Sequence, residues 1–140
     1  MTALVAIPAF GCDARLYAPI RNLLPDSVDM SVEIADADSF TGCVAQLLAR
    51  APERFVVMGT SFGGRLALEL TLAAPQRVSG LIVIGSGPGP VADAAAGRRR
   101  SSRLRAGEAD AVVAEMAAII SHLPGPNGPA TREAFVAMAR

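Results

Sequence analysis

The chain has 140 residues, which is enough for about one ordinary domain with a usable hydrophobic core. Hydrophobic residues make up 51% of it, and 13 basic residues balance 13 acidic ones, so the formal net charge at pH 7 is zero. This composition favours a buried parallel sheet and gives no support to a protein that binds nucleic acid or acidic substrates.

The region before residue 55 alternates apolar strands with amphipathic helices. The first apolar run is continuous and is stopped by Pro8, which is typical of a strand buried on both faces. The second strand is weaker, because Val32 and Ile34 alternate with polar neighbours, and we expect it at a sheet edge. The predicted elements are a strand at Ala3–Ile7, a helix at Arg15–Leu24, an edge strand at Val28–Ile34 and a helix capped by Asp38 or Ser39 that runs to Arg50.

Residues 59–63 form the pattern Gly-Thr-Ser-Phe-Gly, between the apolar run Phe55–Met58 and a helical segment that begins near Phe62. A G-x-S-x-G pattern between a buried strand and a helix is typical of a nucleophile elbow. The serine of such a turn is strained, and glycine is favoured two residues before and after it because side chains there would collide. We therefore expect Ser61 at φ above zero, at the positive end of the helix. An ordinary strand-to-helix turn is the alternative explanation.

The pattern continues beyond the turn. An apolar helical face follows Phe62, Pro75 ends that helix, and Arg77–Ser86 predicts the next buried strand. With these flanks, the block resembles the central part of the α/β-hydrolase superfamily, of the short bacterial esterase-like type, in which such a serine is the nucleophile of a Ser-His-acid triad. The resemblance implies an α/β fold, a parallel sheet with helices on both faces. The implied strand order is second, first, the strand before Ser61, and then Leu81–Ile84.

The resemblance also implies an activity and a set of site residues. The expected reaction is hydrolysis of an ester or similar acyl substrate, with Ser61 as the nucleophile. The loop after the first strand carries Pro8 and Ala9 where superfamily members usually have His and Gly, yet a backbone donor is retained there. By position, the N–H groups of Phe10 and Phe62 form the oxyanion hole. Candidates for lining the substrate site are Gly11, Cys12 and Ser86. A small packed thiol is the alternative explanation of the cysteine.

The composition changes at residues 87–90, Gly-Pro-Gly-Pro, where the chain leaves the predicted sheet. We expect an α/β-hydrolase core at 1–87 and a helical cap or lid segment at 88–140. The expected parts of this segment are helices at Val91–Arg105 and Glu108–Ser121, a break at Gly107, a loop at Pro124–Pro129 and a short helix from Thr131. Clustered arginines occur at positions 98, 99, 100, 103 and 105. They lack interleaved aromatic residues, so we interpret them as a solvated helix face rather than a nucleic-acid-binding surface.

Superfamily members continue past the cap with two further strands, which carry the triad acid and the triad histidine, whereas this chain ends at Arg140. Asp93 and His122 follow Ser61 in the superfamily order of serine, acid and histidine, but neither comes directly after a predicted strand, so both are poor candidates. The alternative hypothesis is a non-catalytic chain, either truncated or a partner subunit completed by a second chain. An exposed sheet edge along Leu81–Ile84 would allow such a chain to associate with itself.

The two cysteines have no zinc-type spacing, and one histidine is too few for a Cys/His zinc site. We therefore expect two reduced thiols, and neither a metal nor a cofactor. No leader is indicated at the N-terminus, and no apolar run has the length needed to cross a bilayer. The sequence predicts a cytoplasmic enzyme that acts on a small molecule, without nucleic-acid or membrane partners.

Overall fold

The computed structural model describes residues 1–122 and 125–140 and divides into two compact units, Met1–Pro88 and Gly89–Arg140. The first unit contains a four-stranded parallel sheet, and the second contains helices. The predicted fold class, a parallel sheet with helices on both faces, is confirmed for the first unit. No helix in the described part of the chain combines the length and the apolar character that crossing a bilayer would require.

The first unit alternates strands and helices in the way that parallel pairing requires. Its strands are β1 (Thr2–Ile7), β2 (Val28–Val32), β3 (Phe55–Thr60) and β4 (Val78–Ile84). Its helices are a 3₁₀ turn (Ala14–Tyr17), α1 (Ala18–Arg21), α2 (Phe40–Arg50) and α3 (Phe62–Ala73). The strands lie in the order β2-β1-β3-β4, which confirms the predicted order and the edge position of the second strand.

The core of the first unit forms two layers because alternate residues of β1 and β3 point to opposite faces of the sheet. One layer packs Val5 and Ile7 against α2 and α3, with Leu47 and Leu70 fully buried. The other layer packs the opposite side chains of the same strands around Tyr17 of the 3₁₀ turn. Both faces of β1 are therefore covered, as its continuous apolar run predicts.

The helix predicted at Arg15–Leu24 is wrong in its extent. The chain instead forms the 3₁₀ turn, whose N-cap Asp13 accepts a hydrogen bond from the Arg15 N–H, followed by the four-residue α1. Pro19 lies in the first turn of α1 and has no N–H, so a continuous helix through this position would lose a backbone hydrogen bond. The apolar residues of this segment have helical spacing, but Pro19 sets where the α-helix begins.

The strand β4 forms where it is predicted and has the exposed edge expected along Leu81–Ile84, although its apolar run taken alone predicts a buried strand. It lies at an edge of the sheet, and Leu81, Ile82 and Ile84 are 39%, 44% and 45% exposed. A strand can bury its apolar side chains only where neighbours cover it, and β4 pairs with β3 alone among the described residues.

The second unit consists of α4 (Ala94–Arg105), α5 (Ala109–Ile120) and α6 (Gly128–Met138) in its described residues. The predicted break lies at Gly107, which adopts φ +81°. The last helix begins at Gly128 instead of Thr131, because Pro129 occupies the first turn, where a missing N–H costs nothing. Pro124, the predicted start of the preceding loop, lies outside the described residues.

Two of the clustered arginines join α4 to α5. Arg100 pairs with Glu115 at 2.8 Å, and Arg103 pairs with both Glu108 and Glu115 at 2.9 Å. These pairs are half-buried or exposed, so solvent screens them and each contributes little to stability. Their main effect is to orient α4 against α5.

Candidate active site

Ser61 lies between the carboxyl end of β3 and the first turn of α3, with φ 54° and ψ −114°. Among the described residues it is the only non-glycine residue with positive φ, which confirms the predicted strain. The Ser61 N–H donates to Ile84 O at 2.8 Å, and Ser61 O accepts from the Arg65 N–H at 3.1 Å. Its hydroxyl makes no capping hydrogen bond to α3 within the described structure. The strained turn thus holds the serine without using its side chain.

The glycines around Ser61 allow backbone to pack directly on backbone. A Cβ on Gly59 would collide with the carbonyl group of Gly63, and a Cβ on Gly63 would collide with the carbonyl oxygens of Ile7 and Pro8. These contacts seat the start of α3 against the end of β1, so the two glycines are required by the close approach of the elements. Ser86 follows β4, two residues beyond Ile84. Its Cβ lies 2.9 Å from the position that a Cβ on Gly64 would occupy.

A cavity of about 100 Å³ opens beside the first turn of α3. Both candidate oxyanion donors, Phe10 and Phe62, line it. Its lining residues are Ile7, residues 8–12, Ile34, Ala35, Phe62 and Leu66. Within the described residues, the N–H groups of Phe10 and Phe62 have no hydrogen-bond acceptor. Four of the predicted site residues, Phe10, Gly11, Cys12 and Phe62, therefore meet at one cavity, whereas Ser61 and Ser86 are not among its described lining.

Comparison with known proteins gives the same fold. No family model matches the chain. It is 39% identical over 95 residues to the pimeloyl-[acyl-carrier protein] methyl ester esterase of Aliivibrio salmonicida, and 51% identical over 97 residues to that of Edwardsiella ictaluri. Each match covers 61% of this chain, and the chain spans only 36% of the length of these curated relatives.

A solved structure, of a hydrolase from Pseudomonas aeruginosa, superposes with a TM-score of 0.71 at 17% identity. The superposition covers 99% of this chain and 61% of that chain. The chain therefore has the α/β-hydrolase fold. The strand order described above is that of this fold, and the chain spans part of the length of the relatives it matches.

One contact close to the candidate site is not predictable from the sequence. Tyr17 is 3% exposed, and its hydroxyl lies 2.8 Å from Ile7 O and 2.8 Å from Thr60 Oγ1. Burial raises the pKa of Tyr17, and the hydrogen bond with Thr60 opposes that rise. A buried tyrosine hydroxyl needs partners, but the sequence does not indicate which strand ends supply them.

The electrostatics of the cavity wall keep Cys12 in its neutral form. Burial, and to a smaller extent the charge of Asp13, raise the pKa of its thiol. Asp13 itself stays ionised, because hydrogen bonds from the Arg15 side chain and N–H hold its pKa below the ordinary value. The protonated thiol is a poor nucleophile, so Cys12 contributes a small apolar wall to this cavity.

The two candidate triad partners lie in the second unit. Asp93 is the N-cap of α4, and its Oδ1 accepts a hydrogen bond from the Ala96 N–H at 2.8 Å. His122 is exposed and follows the end of α5, where its N–H donates to Ile119 O at 3.3 Å. The carboxylate therefore has a capping role within its own unit.

Proposed function

We propose that this chain is the nucleophile-bearing part of a serine esterase, with Ser61 as the nucleophile and the N–H groups of Phe10 and Phe62 as the oxyanion hole. The observation that supports this most directly is the strained serine at a strand-to-helix turn, directly before Phe62. Phe62 and Phe10 line one cavity, and their N–H groups are unpaired within the described structure. Strain that a protein maintains at a turn is typical of a functional site.

In the proposed reaction, Ser61 Oγ attacks the acyl carbon and its proton passes to a general base. The carbonyl oxygen becomes negatively charged and accepts hydrogen bonds from the two N–H groups. The C–O bond to the alcohol then breaks, and the alcohol leaves with the proton from the base. Water attacks the acyl group on Ser61 in the same way, which releases the carboxylic acid and restores the hydroxyl.

The substrate class is proposed from the cavity and from the relatives. The described lining contains apolar side chains and one neutral thiol, with no charged group, so it suits an uncharged part of a substrate. A volume of about 100 Å³ holds a few carbon atoms. The two esterase relatives are named for a methyl ester of an acyl chain. We infer a small alkyl ester, such as a methyl ester, of an apolar acyl chain.

Residues 88–140 are proposed to be the cap or lid segment. Neither Asp93 nor His122 is proposed as a catalytic partner, because the first caps α4 and the second follows a helix instead of a strand. Without a general base a serine hydroxyl is a poor nucleophile. The 140-residue chain is therefore predicted to show little esterase turnover and slow reaction with a fluorophosphonate. Rapid labelling of Ser61 that disappears in a folded His122→Ala variant would overturn this prediction.

The test of the proposed function is prolonged labelling of the 140-residue chain with an alkyl fluorophosphonate, followed by peptide mass spectrometry. We expect a single adduct, on Ser61, because this strained serine directly precedes Phe62, one of the two proposed oxyanion donors. The adduct should be lost in Ser61→Ala and retained in the matched control Ser79→Ala, which removes an exposed hydroxyl from β4. Adducts distributed over several serines, or none at all, would contradict the proposal.

A second proposal, a non-catalytic subunit that another chain completes, is favoured by one observation, the exposed apolar edge of β4. A folded chain that never forms an adduct at Ser61 would support it. In either case we propose a cytoplasmic location, because both Cys12 and Cys43 are unpaired thiols.

A further inference from the structure

The side chain of Tyr17 joins the ends of two neighbouring strands. Ile7 is the last residue of β1 and Thr60 is the last residue of β3, and both are bonded to the same phenolic oxygen. A tyrosine hydroxyl has one hydrogen, and the carbonyl of Ile7 can only accept. Tyr17 therefore donates to Ile7 O, and the Thr60 hydroxyl donates to Tyr17.

These two strand ends begin the two segments of the candidate site. The loop that carries Phe10 leaves β1 directly after Ile7, and Thr60 precedes Ser61. Tyr17 follows that loop in the sequence, and its hydroxyl bonds to Ile7, which precedes the loop. The hydrogen bond therefore joins the two ends of the loop. The carbonyl of Ile7 also packs against Gly63, in the first turn of α3.

The role of the Tyr17 hydroxyl can be tested separately from that of the ring. The ring fills the second core layer among Leu4, Ala6, Met30 and Met58, a place that a phenylalanine ring would fill equally well. Likewise, a valine at position 60 would keep the shape of Thr60 and lose only its hydroxyl. Hydrophobic packing therefore holds the Tyr17 ring in place, and the two hydroxyls add a hydrogen bond that orients the strand ends.

We propose that the Tyr17–Thr60 hydroxyl pair positions the oxyanion hole, by holding the loop of Phe10 against the turn of Ser61. This inference rests on the proposed function, because it concerns the distance between the same two N–H donors. A loop released from this anchor would keep its fold but lose the alignment of the Phe10 N–H with the Phe62 N–H. Misalignment of this kind lowers the rate of bond formation more than it lowers binding.

The test compares Tyr17→Phe and Thr60→Val with the wild-type chain in saturation kinetics of fluorophosphonate labelling at Ser61. We expect the rate constant at saturating probe to fall about tenfold in each variant, with the half-saturating concentration changed less than about twofold. The double variant should fall no further than either single one, because both remove the same anchor. Thr71→Val is the matched control, since its hydroxyl bonds to Ala67 O within α3.

A second readout reports on the anchor without any reaction at Ser61. Tyr17 is the only tyrosine and the chain has no tryptophan, so the near-ultraviolet titration of tyrosinate observes this residue alone. Donation from Thr60 stabilises the tyrosinate, so Thr60→Val should raise the pKa of Tyr17 further. Thr71→Val should leave it unchanged.

The outcomes separate this inference from the proposed function. A wild-type chain that is not labelled at Ser61 overturns both, whatever the titration shows. Equal labelling rates would overturn the positioning role and leave the proposed function intact. The chains compared are the wild type, Tyr17→Phe and Thr60→Val. A tyrosinate titration that is identical in wild type and Thr60→Val overturns the anchor itself.

Discussion

Ser61 keeps a backbone conformation that costs about 1–3 kcal/mol for a residue with a Cβ, and both of its peptide groups are held by regular structure. Its N–H extends the pairing of β3 with β4, and its carbonyl begins the hydrogen-bond ladder of α3. The surrounding elements thus impose the strain on the serine, and relaxing it would require α3 to move away from the sheet.

Gly63→Ala is predicted to destabilise the first unit by about 2–3 kcal/mol, because the new Cβ would meet two carbonyl oxygens that belong to rigid backbone. The measurement is urea unfolding followed by the fluorescence of Tyr17, which lies in this unit. The control is Gly87→Ala, where a Cβ meets no atom within 4 Å and the change should stay within about 0.5 kcal/mol. Equal stabilities of the two variants would show that α3 is not seated on β1 as described.

The free energy of unfolding is predicted to fall at alkaline pH because of Cys12 and Tyr17. Burial raises the pKa of both groups in the folded chain, so the unfolded chain releases these protons first. Their contribution is complete below the unfolded pKa values, about 8.5 for cysteine and 10 for tyrosine, and is lost as the pH rises through the folded values.

The check is urea unfolding by circular dichroism between neutral and alkaline pH, in a chain whose basic residues are all arginine and do not titrate there. Tyr17→Phe should flatten the fall in stability above about pH 10, and Cys12→Ser should flatten it from about pH 8.5. Curves parallel to that of the wild type would mean that neither group is desolvated in the fold.

At the scale of elements, Arg77 holds the end of α2 against the sheet. One guanidinium nitrogen, Nη2, lies within 3.2 Å of three carbonyl oxygens, those of Leu48, Ala51 and Pro52. The guanidinium also stacks over the Phe55 ring, 5.8 Å from its centroid. Carbonyl groups at a helix end have no partner inside the helix, and a cation there satisfies them and the negative end of the dipole.

Arg77→Met is predicted to lower the free energy of unfolding of the first unit by about 1–3 kcal/mol, since three carbonyl groups at the end of α2 would lose a charged donor. Arg54→Met is the control, because Arg54 is exposed and its side chain makes no hydrogen bond within the described residues. It should change stability by less than about 0.5 kcal/mol. Tyr17 fluorescence in urea again reports the transition, and a loss in the control as large as that in Arg77→Met would contradict the assignment.

At the scale of the whole molecule, β4 leaves an apolar edge of the sheet exposed. Leu81, Ile82 and Ile84 are each more than a third exposed beside unpaired strand backbone. Edge strands of soluble proteins are normally short, charged or interrupted, and β4 has seven residues without a charge. We propose that this edge pairs with a second copy of the chain when no other strand covers it.

The chain is therefore predicted to form dimers or larger species whose proportion rises with concentration, as measured by size-exclusion chromatography with light scattering. Replacing Leu81 and Ile82 together by lysine should shift it towards the monomer, because charge on an edge opposes pairing. Leu72→Lys is the control: this leucine is 77% exposed on α3, away from the edge, and its replacement should leave the distribution unchanged. A wild-type chain that stays monomeric over a wide concentration range would contradict the proposal.

The sequence by itself determined the features that depend on neighbouring residues. The turn at Ser61, its positive φ and the flanking strand and helix follow from glycine spacing and from an apolar run next to a helical pattern. The order of the strands came from resemblance to a superfamily, because no local pattern specifies which strands pair. The site roles of Ser61, Phe10 and Phe62 remain predictions that labelling can test.

Only the tertiary structure decided the features that join residues far apart in the chain. The hydroxyl of Tyr17 meets partners 10 and 43 residues away, which periodicity cannot reveal. The exposure of β4 also depends on distant elements, since an apolar run shows that a strand can be covered but not that a neighbour covers it. The exposed edge was expected only from comparison with the longer superfamily pattern. Local sequence sets what each element can be, and packing between distant elements sets which side chains become buried, bonded or exposed.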